Sequence, residues 1–193
     1  MFLIQLRHFM ESDEGWGPVE GRRVRVHLER MISQTLPGTS IALSMEGIAR
    51  TDSIFPREAV VEIARYERGQ RGICLVYLHD AALLENWDNA ARRCQQPLFA
   101  WNTDFSEVHL LGPQAPIGLR GMLNYVLSVE RARASEAAKK LQVSIQNASN
   151  KLRDLWEAGY ILREEQCARS GGREFTYFKI IGKTNMYSTP QRQ

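Results

Sequence analysis

The spacing of apolar and polar positions changes several times along the chain, and each change marks an element. "FLIQLRHF" at 2–9 is a short apolar run that predicts a first strand. In "GPVEGRRVRVHLERMISQTL", Val24, Leu28 and Ile32 recur every four residues with Val26 and Met31 nearby, which predicts a helix. A Pro-Gly turn then opens a strand from about Ser40 to Met45. "PREAVVEIARYERGQ" returns to helical period, with Pro56 at its first turn. "GICLVYL" is almost continuously apolar, as a strand buried on both faces should be. "DAALLENWDNAARRCQQ" predicts a helix with Leu84, Trp87 and Ala91 on one side, and "PLFAW" and "EVHLLG" predict two short strands.

This alternation predicts an α/β unit with a largely central sheet over residues 1–113. "LGPQAPIG" at 111–118, with two prolines and two glycines, is the best boundary. A second unit, 117–185, follows a different pattern. "LRGMLNYVLSVERA" and "SEAAKKLQ" predict two helices, and "SIQNASNKLRDLWEAG" a third that ends at Gly159. "YILREEQ", "RSGGRE" and "FTYFKII" then read as strand, glycine turn and strand. In the third helix Ile145, Ala148, Leu152 and Leu155 recur at helical spacing and predict the buried face. The apolar stripe of the first helix (Leu119, Met122, Leu123, Val126 and Leu127) fits either dimerisation or closure of this unit's own core. No internal repeat is visible, and the tail "TNMYSTPQRQ" reads as disordered.

Charge sharpens the division. Residues 1–119 hold 12 Lys+Arg against 15 Asp+Glu, whereas residues 120–193 hold 13 against 7, so a polyanionic partner is expected at the back. The hydrophobic share of 44% and charged share of 24% are those of an ordinary soluble protein, and no apolar run is long enough for a membrane span. The start lacks a basic n-region and a cleavage site, so it reads as a strand and not as a signal peptide. Cys74, Cys94 and Cys167 are far apart, odd in number and without CxxC spacing, and the four histidines are scattered. Neither a disulfide framework nor a metal site is expected, and the expected compartment is a reducing cytoplasm.

The third helix of the back unit poses the sharpest question, because its polar face carries amides and an arginine in place of the usual Glu and Lys. At 100° per residue the outward direction passes through Gln146, Asn150 and Arg153, with Asn147 and Ser149 at the flanks. Asn, Gln and Arg have the bidentate geometry that reads base edges in a major groove. Ser144 is placed to cap the helix, and with Lys151 it completes the set expected to face DNA. In "CARSGGREF", Arg169 and Arg173 flank Gly171-Gly172, a hairpin turn that tolerates positive φ, and exposed arginines there suit phosphates or a narrow minor groove. The bland alternatives are a solvated helix with surface amides and a solubilised hairpin.

The stretch "SEAAKKLQVSIQNASNKLRDLWEAGYILREEQCARSGGREFTYFKI" resembles the winged helix-turn-helix of bacterial transcriptional regulators. The pattern that carries the resemblance is Ala148-Ser149-x-x-Leu152-x-x-Leu155-x-x-Ala158-Gly159-Tyr160-Ile161. It implies that 144–159 is the recognition helix and 160–181 the wing. More weakly, "GRRVRVHLERMI…TSIALSMEGIARTDSIFPREAVVEIA" and "ICLVYLHDAALLENWDNAARRCQQPLFAW" resemble the STAS-like domains of some bacterial regulators. Anti-sigma-factor antagonists of that kind carry Asp-Ser-Ser-Gly with a phosphate-accepting serine. This chain has Asp52-Ser53-Ile54-Phe55, so a turn-forming Asp-Ser pair is the reading for Ser53 rather than a phosphoswitch.

Enzyme motifs fail. "GKT" at 182–184 lacks the P-loop glycine, since Tyr177 stands there; no GxGxxG follows the first strand, and there is no GxSxG or identifiable acid/base dyad. The sequence thus predicts a non-enzymatic regulator without a cofactor. It would bind duplex DNA, most simply as a homodimer, with a small-molecule or protein effector at the front. Two rivals remain: an interaction module whose winged helix does not bind DNA, and a nucleotide-sensing Rossmann-like front on the same back unit.

Overall fold

The computed structural model describes residues 2–167 and 173–181. The chain is a mixed α/β protein with a mainly parallel central sheet and, among the described residues, six helices. The sheet is built from β1 (Phe2–Gln5), β3 (Ser40–Ser44), β5 (Gly72–Val76), β6 (Leu98–Trp101) and β7 (Val108–Leu111), side by side in that order. The first four are parallel and β7 is antiparallel to β6. The connections are α1 (Gly17–Ile32), α2 (54–66) and α3 (Ala81–Arg93). α2 is one helical run made of Ile54–Pro56, a π turn at Arg57–Val61 and Glu62–Tyr66. A short parallel pair, β2 (Glu14–Gly15) and β4 (Arg50–Thr51), ties the loops before α1 and α2 together.

Because each parallel strand is laid beside its predecessor, and such crossovers are right-handed, all three helices fall on one face of the sheet. The side chains divide accordingly, with period two. Ile41, Leu43, Ile73, Leu75, Leu98 and Ala100 pack with Val24, Leu28, Phe55, Val60 and Trp87 of the helices. Ala42, Cys74, Val76, Phe99 and Trp101 point the other way. Hence β5 is apolar at every position, as the sequence predicts for a strand covered on both faces.

The cover on the second face is the back of the chain. It comprises α4 (Ile117–Ser128), β8 (Ala132–Arg133), α5 (Ala134–Leu141), α6 (Ile145–Glu157), β9 (Ile161–Cys167) and β10 (Arg173–Lys179). β8, β10 and β9 form a three-stranded antiparallel sheet with β10 in the middle. Met122, Leu123, Val126, Leu152, Leu155, Ile161, Leu162 and Ile180 share one core with the second face of the central sheet. Polar contacts fasten the same interface. The Trp101 indole donates to the Ile180 carbonyl (3.1 Å), the Ile181 amide to Ser40 Oγ (3.2 Å), and the Tyr160 hydroxyl to the Pro113 carbonyl (3.0 Å).

Most predicted elements are present, with corrections. The run predicted as a strand over 2–9 is a strand only over Phe2–Gln5 and turns into a 3-10 helix at Leu6–Phe9. The helix predicted to run through "VERA" is α4, Ile117–Ser128, followed by a two-residue strand, β8, that the sequence reading did not anticipate. Two predicted apolar positions are corrected. Val26 on α1 is 64% exposed and Ile145 on α6 is 61% exposed. Val26 lies two positions from the buried Val24 and Leu28, about 200° away around the helix. Ile145 is the first residue of α6, where the helix emerges from its turn before the buried stripe Ala148, Leu152 and Leu155 begins. Among the described cysteines, Cys74 and Cys94 are free thiols. Burial pushes the Cys74 thiol up to about 12, so it is protonated and inert at neutral pH.

The shared core makes a definite prediction. A Cβ at Gly72 would lie 2.7 Å from Ile180 Cγ2 and 3.1 Å from Leu162 Cδ1, so Gly72→Ala overpacks the contact between the two halves. It should cost about 1–3 kcal/mol in urea unfolding. Wild-type protein should lose its near-UV tryptophan signal and far-UV helix signal in one coincident transition; two separated transitions would show the halves to be independent.

Candidate nucleic-acid interface

α5 and α6 are joined by the turn Leu141–Ser144, in which Gln142 adopts the left-handed conformation (φ 54°) and ends α5. Ser144 is extended, and its Oγ accepts the Asn147 amide (3.2 Å), so it caps α6 as predicted. At the other end Gly159 (φ 83°) follows the C-cap. The Gly159 amide donates to the Trp156 carbonyl and the Tyr160 amide to the Leu155 carbonyl, the double bond of a Schellman motif. α6 therefore has both ends closed by its own sequence.

Its inner face, Ala148, Leu152 and Leu155, is fully buried. The outer face carries the predicted residues: Ser144, Gln146, Asn147, Asn150 and Arg153 are exposed, and Ser149 and Lys151 are half-buried at the flanks. Gln146 Nε2 donates to Asn150 Oδ1 (3.0 Å), a pairing one helical turn apart that orients both amides. The pairing leaves Gln146 with its carbonyl oxygen and one N–H, and Asn150 with both N–H groups, for an outside partner. Arg153 lies 3.9 Å from Glu157 and 4.0 Å from Asp154.

On the hairpin, Arg173 opens β10 with a side chain 79% exposed and 3.1 Å from Glu165 across the strand pair. Arg169 and the Gly171-Gly172 turn lie outside the described residues, as does the tail from 182. Arg131 pairs with Glu164 (2.8 Å), and Arg133 lies 3.9 Å from Glu174. Lys139, Lys140 and Lys151 have no ion pair among the described residues. Glu164, Glu165 and Glu174 of the hairpin are thus each set against an arginine.

The sequence reading missed the residue that joins α6 to the hairpin. The Arg163 guanidinium on β9 lies over the Trp156 ring of α6 (3.4 Å) and over the Phe175 ring of β10 (4.3 Å). Burial pushes the neighbouring Tyr177 phenol up, against a smaller downward pull from Arg163. Trp156 in turn donates its indole N–H to the Gly69 carbonyl (3.0 Å), which hooks α6 to the loop before β5. Nothing in "YILREE" marks Arg163 as different from its charged neighbours, because its partners are distant in sequence or on another strand.

Among the described residues, no group of His, Cys, Asp and Glu is arranged to hold a metal ion, and no helix is long and apolar enough to cross a membrane. No protein-family model matches the chain, and no curated protein matches it.

Removing the clamp should be measurable. Arg163→Ala takes away two cation–π contacts, each worth about 0.5–2 kcal/mol. It should lower stability by about 1–3 kcal/mol in urea unfolding and change Trp156 emission, while Arg163→Lys should retain part of both. A stability equal to wild type in Arg163→Ala would show that the stacking does not fix α6 to the hairpin.

Proposed function

We propose that this chain is a DNA-binding transcriptional regulator, not an enzyme, with a STAS-like front over 1–113 and a winged helix-turn-helix over 117–185. The order α4–β8–α5–α6–β9–β10 is that of a helix-turn-helix followed by a hairpin wing. The observation that carries the reading is the outer face of α6, where Gln146, Asn147 and Asn150 are exposed and the Gln146–Asn150 pair is pre-oriented. Ordering side chains before binding lowers the entropy lost on contact. In this reading α6 enters the major groove with Gln146, Asn150 and Arg153 towards base edges. Ser144, Asn147, Ser149 and Lys151 flank the contact, and Arg169 and Arg173 meet backbone or minor groove. The compartment it implies is the cytoplasm, and the assembly a homodimer.

The ion pairs of the hairpin favour one alternative. Arg131, Arg133 and Arg173 each face a glutamate of the hairpin, so part of the positive charge beside the wing is already offset. A winged helix serving as a protein-docking module would tolerate that balance equally well. Salt separates the two, since only contacts with nucleic acid release condensed counterions.

The test is selection of bound sequences from random duplex DNA with the full chain, followed by titration of the selected site against salt. A homodimer should select a two-fold symmetric motif. Asn150→Ala should cost about 1–3 kcal/mol on the selected site and relax preference at one position. Arg173→Ala should weaken all sequences alike and reduce the salt slope by about one unit. Absence of duplex binding at low salt, or unchanged affinity and preference in both Asn150→Ala and Gln146→Ala, removes the reading.

A further inference from the structure

The C-terminal ends of β3 and β5 open into a cleft of about 520 Å³, bounded on one side by the β2–β4 loops and on the other by the start of α3. Loops at this end of parallel strands are where α/β folds bind ligands. The walls are unequal in chemistry. Trp16, half-exposed, and Leu83 present apolar surface on the two sides. Arg50, Thr51, Ser53 and Asn86 supply polar groups between them.

The charges of the cleft are already partly spoken for. Asp52 accepts the amides of Gly17 (3.0 Å), Ile54 (3.0 Å) and Phe55 (2.7 Å), which are the first amides of α1 and α2. Asp80 accepts the Leu83 amide (2.9 Å) as the N-cap of α3. Both carboxylates therefore sit at helix starts whose N–H groups balance them. Among the described residues the Arg50 side chain has no acidic partner and no hydrogen bond. The Thr51 hydroxyl belongs to a residue 3% exposed and also has no partner, an arrangement that ordinarily costs about 1–3 kcal/mol. Asn86 is turned to this wall by donating to the Thr51 carbonyl (2.8 Å). The groups left over in the cleft are thus mainly donors: a guanidinium and two hydroxyls.

We infer that this cleft binds a small organic anion, its carboxylate or phosphate held by Arg50 with the Ser53 and Thr51 hydroxyls, and its apolar or aromatic body set between Trp16 and Leu83. A cleft of this size suits a molecule of metabolite dimensions. The inference stands on the front half alone and does not depend on whether the back half binds DNA.

Trp16 gives the test its signal, because it is the exposed tryptophan of the cleft whereas Trp87 and Trp101 are buried. The full chain is titrated with benzoate, indole-3-acetate, adenosine monophosphate and inorganic phosphate, following tryptophan emission and melting temperature. At least one organic anion should saturate the signal at or below about 10 mM, a carboxylate or a phosphate according to which probe succeeds. Trp16→Phe should remove the emission change and reduce the thermal shift, and Arg50→Ala should weaken binding about tenfold or more. Arg50 is exposed and unpaired, so Arg50→Ala should fold and melt as wild type. The inference is overturned if no organic probe saturates, if Arg50→Ala binds as tightly as wild type, or if inorganic phosphate binds as well as the organic anions.

Discussion

A sheet whose parallel strands are added one beside the next can be covered by its own connecting helices on only one face. That constraint organises this protein. α1, α2 and α3 seal one side, and the opposite side would leave Cys74, Val76, Phe99 and Trp101 in water. An exposed apolar face of that size is not sustainable in a lone domain. The back of the chain is the lid, and its packing against the sheet fixes several otherwise odd residues. Gly72 has no side chain because Ile180 and Leu162 occupy the space, and Ser40 is buried because it receives the Ile181 amide. The second half is therefore a structural layer of the first.

The lid leaves α6 free on one side and anchored on the other. Its apolar stripe and Trp156 face the body, whereas Gln146, Asn147 and Asn150 face out. The anchoring loop is itself stiff. Arg71 pairs with Glu67 (2.8 Å), both largely buried, and also donates to the Thr35 carbonyl (2.7 Å). Gly69 takes φ 73° so that the indole can approach, and an added Cβ would sit 3.0 Å from the Trp156 ring. The polar face of α6 is thus held at a fixed orientation to the central sheet, through contacts that none of its exposed residues makes.

Much of this was legible in the sequence, for identifiable reasons. Elements with strong period were read correctly: the four-residue spacing of Val24, Leu28 and Ile32, the unbroken apolar run of β5, and the Ser144 cap with Gly159 at the far end of α6. The exposed amides were legible because a helix buried by a narrow stripe shows its remaining positions. What failed were facts that depend on distant partners. Ile145 has the period of a core residue but lies at the helix entrance, and β8 is a two-residue strand that exists only because β10 pairs with it. The sheet's pairing with the back unit was invisible, since a covered face reads the same whatever covers it. The Arg163 clamp and the Arg50 cleft are likewise assemblies of side chains from separate segments. Which arginines pair with which glutamates is also beyond composition: Arg131, Arg133 and Arg173 each meet a glutamate of the hairpin.

β5 connects the two ends of this arrangement. The loop before it carries Gly69 and receives Trp156, and the loop after it leads to Asp80 and the wall of the cleft. Between them β5 is buried at every residue, paired on both edges and packed on both faces. Such a strand does not bend to accommodate change, so its ends move as one with the sheet. An event in the cleft would reach α6 only by favouring one of two positions of the lid relative to that sheet, and by no more than the difference in its affinity for them. The contacts that would have to differ are the shared apolar core and its polar fasteners, among them Trp156 with Gly69, Tyr160 with Pro113, Trp101 with Ile180, and Ser40 with Ile181. All of them lie on the covered face or its margin. Control of α6, where it exists, is therefore a matter of how the lid seats on the sheet and not of any path through the helices on the far side.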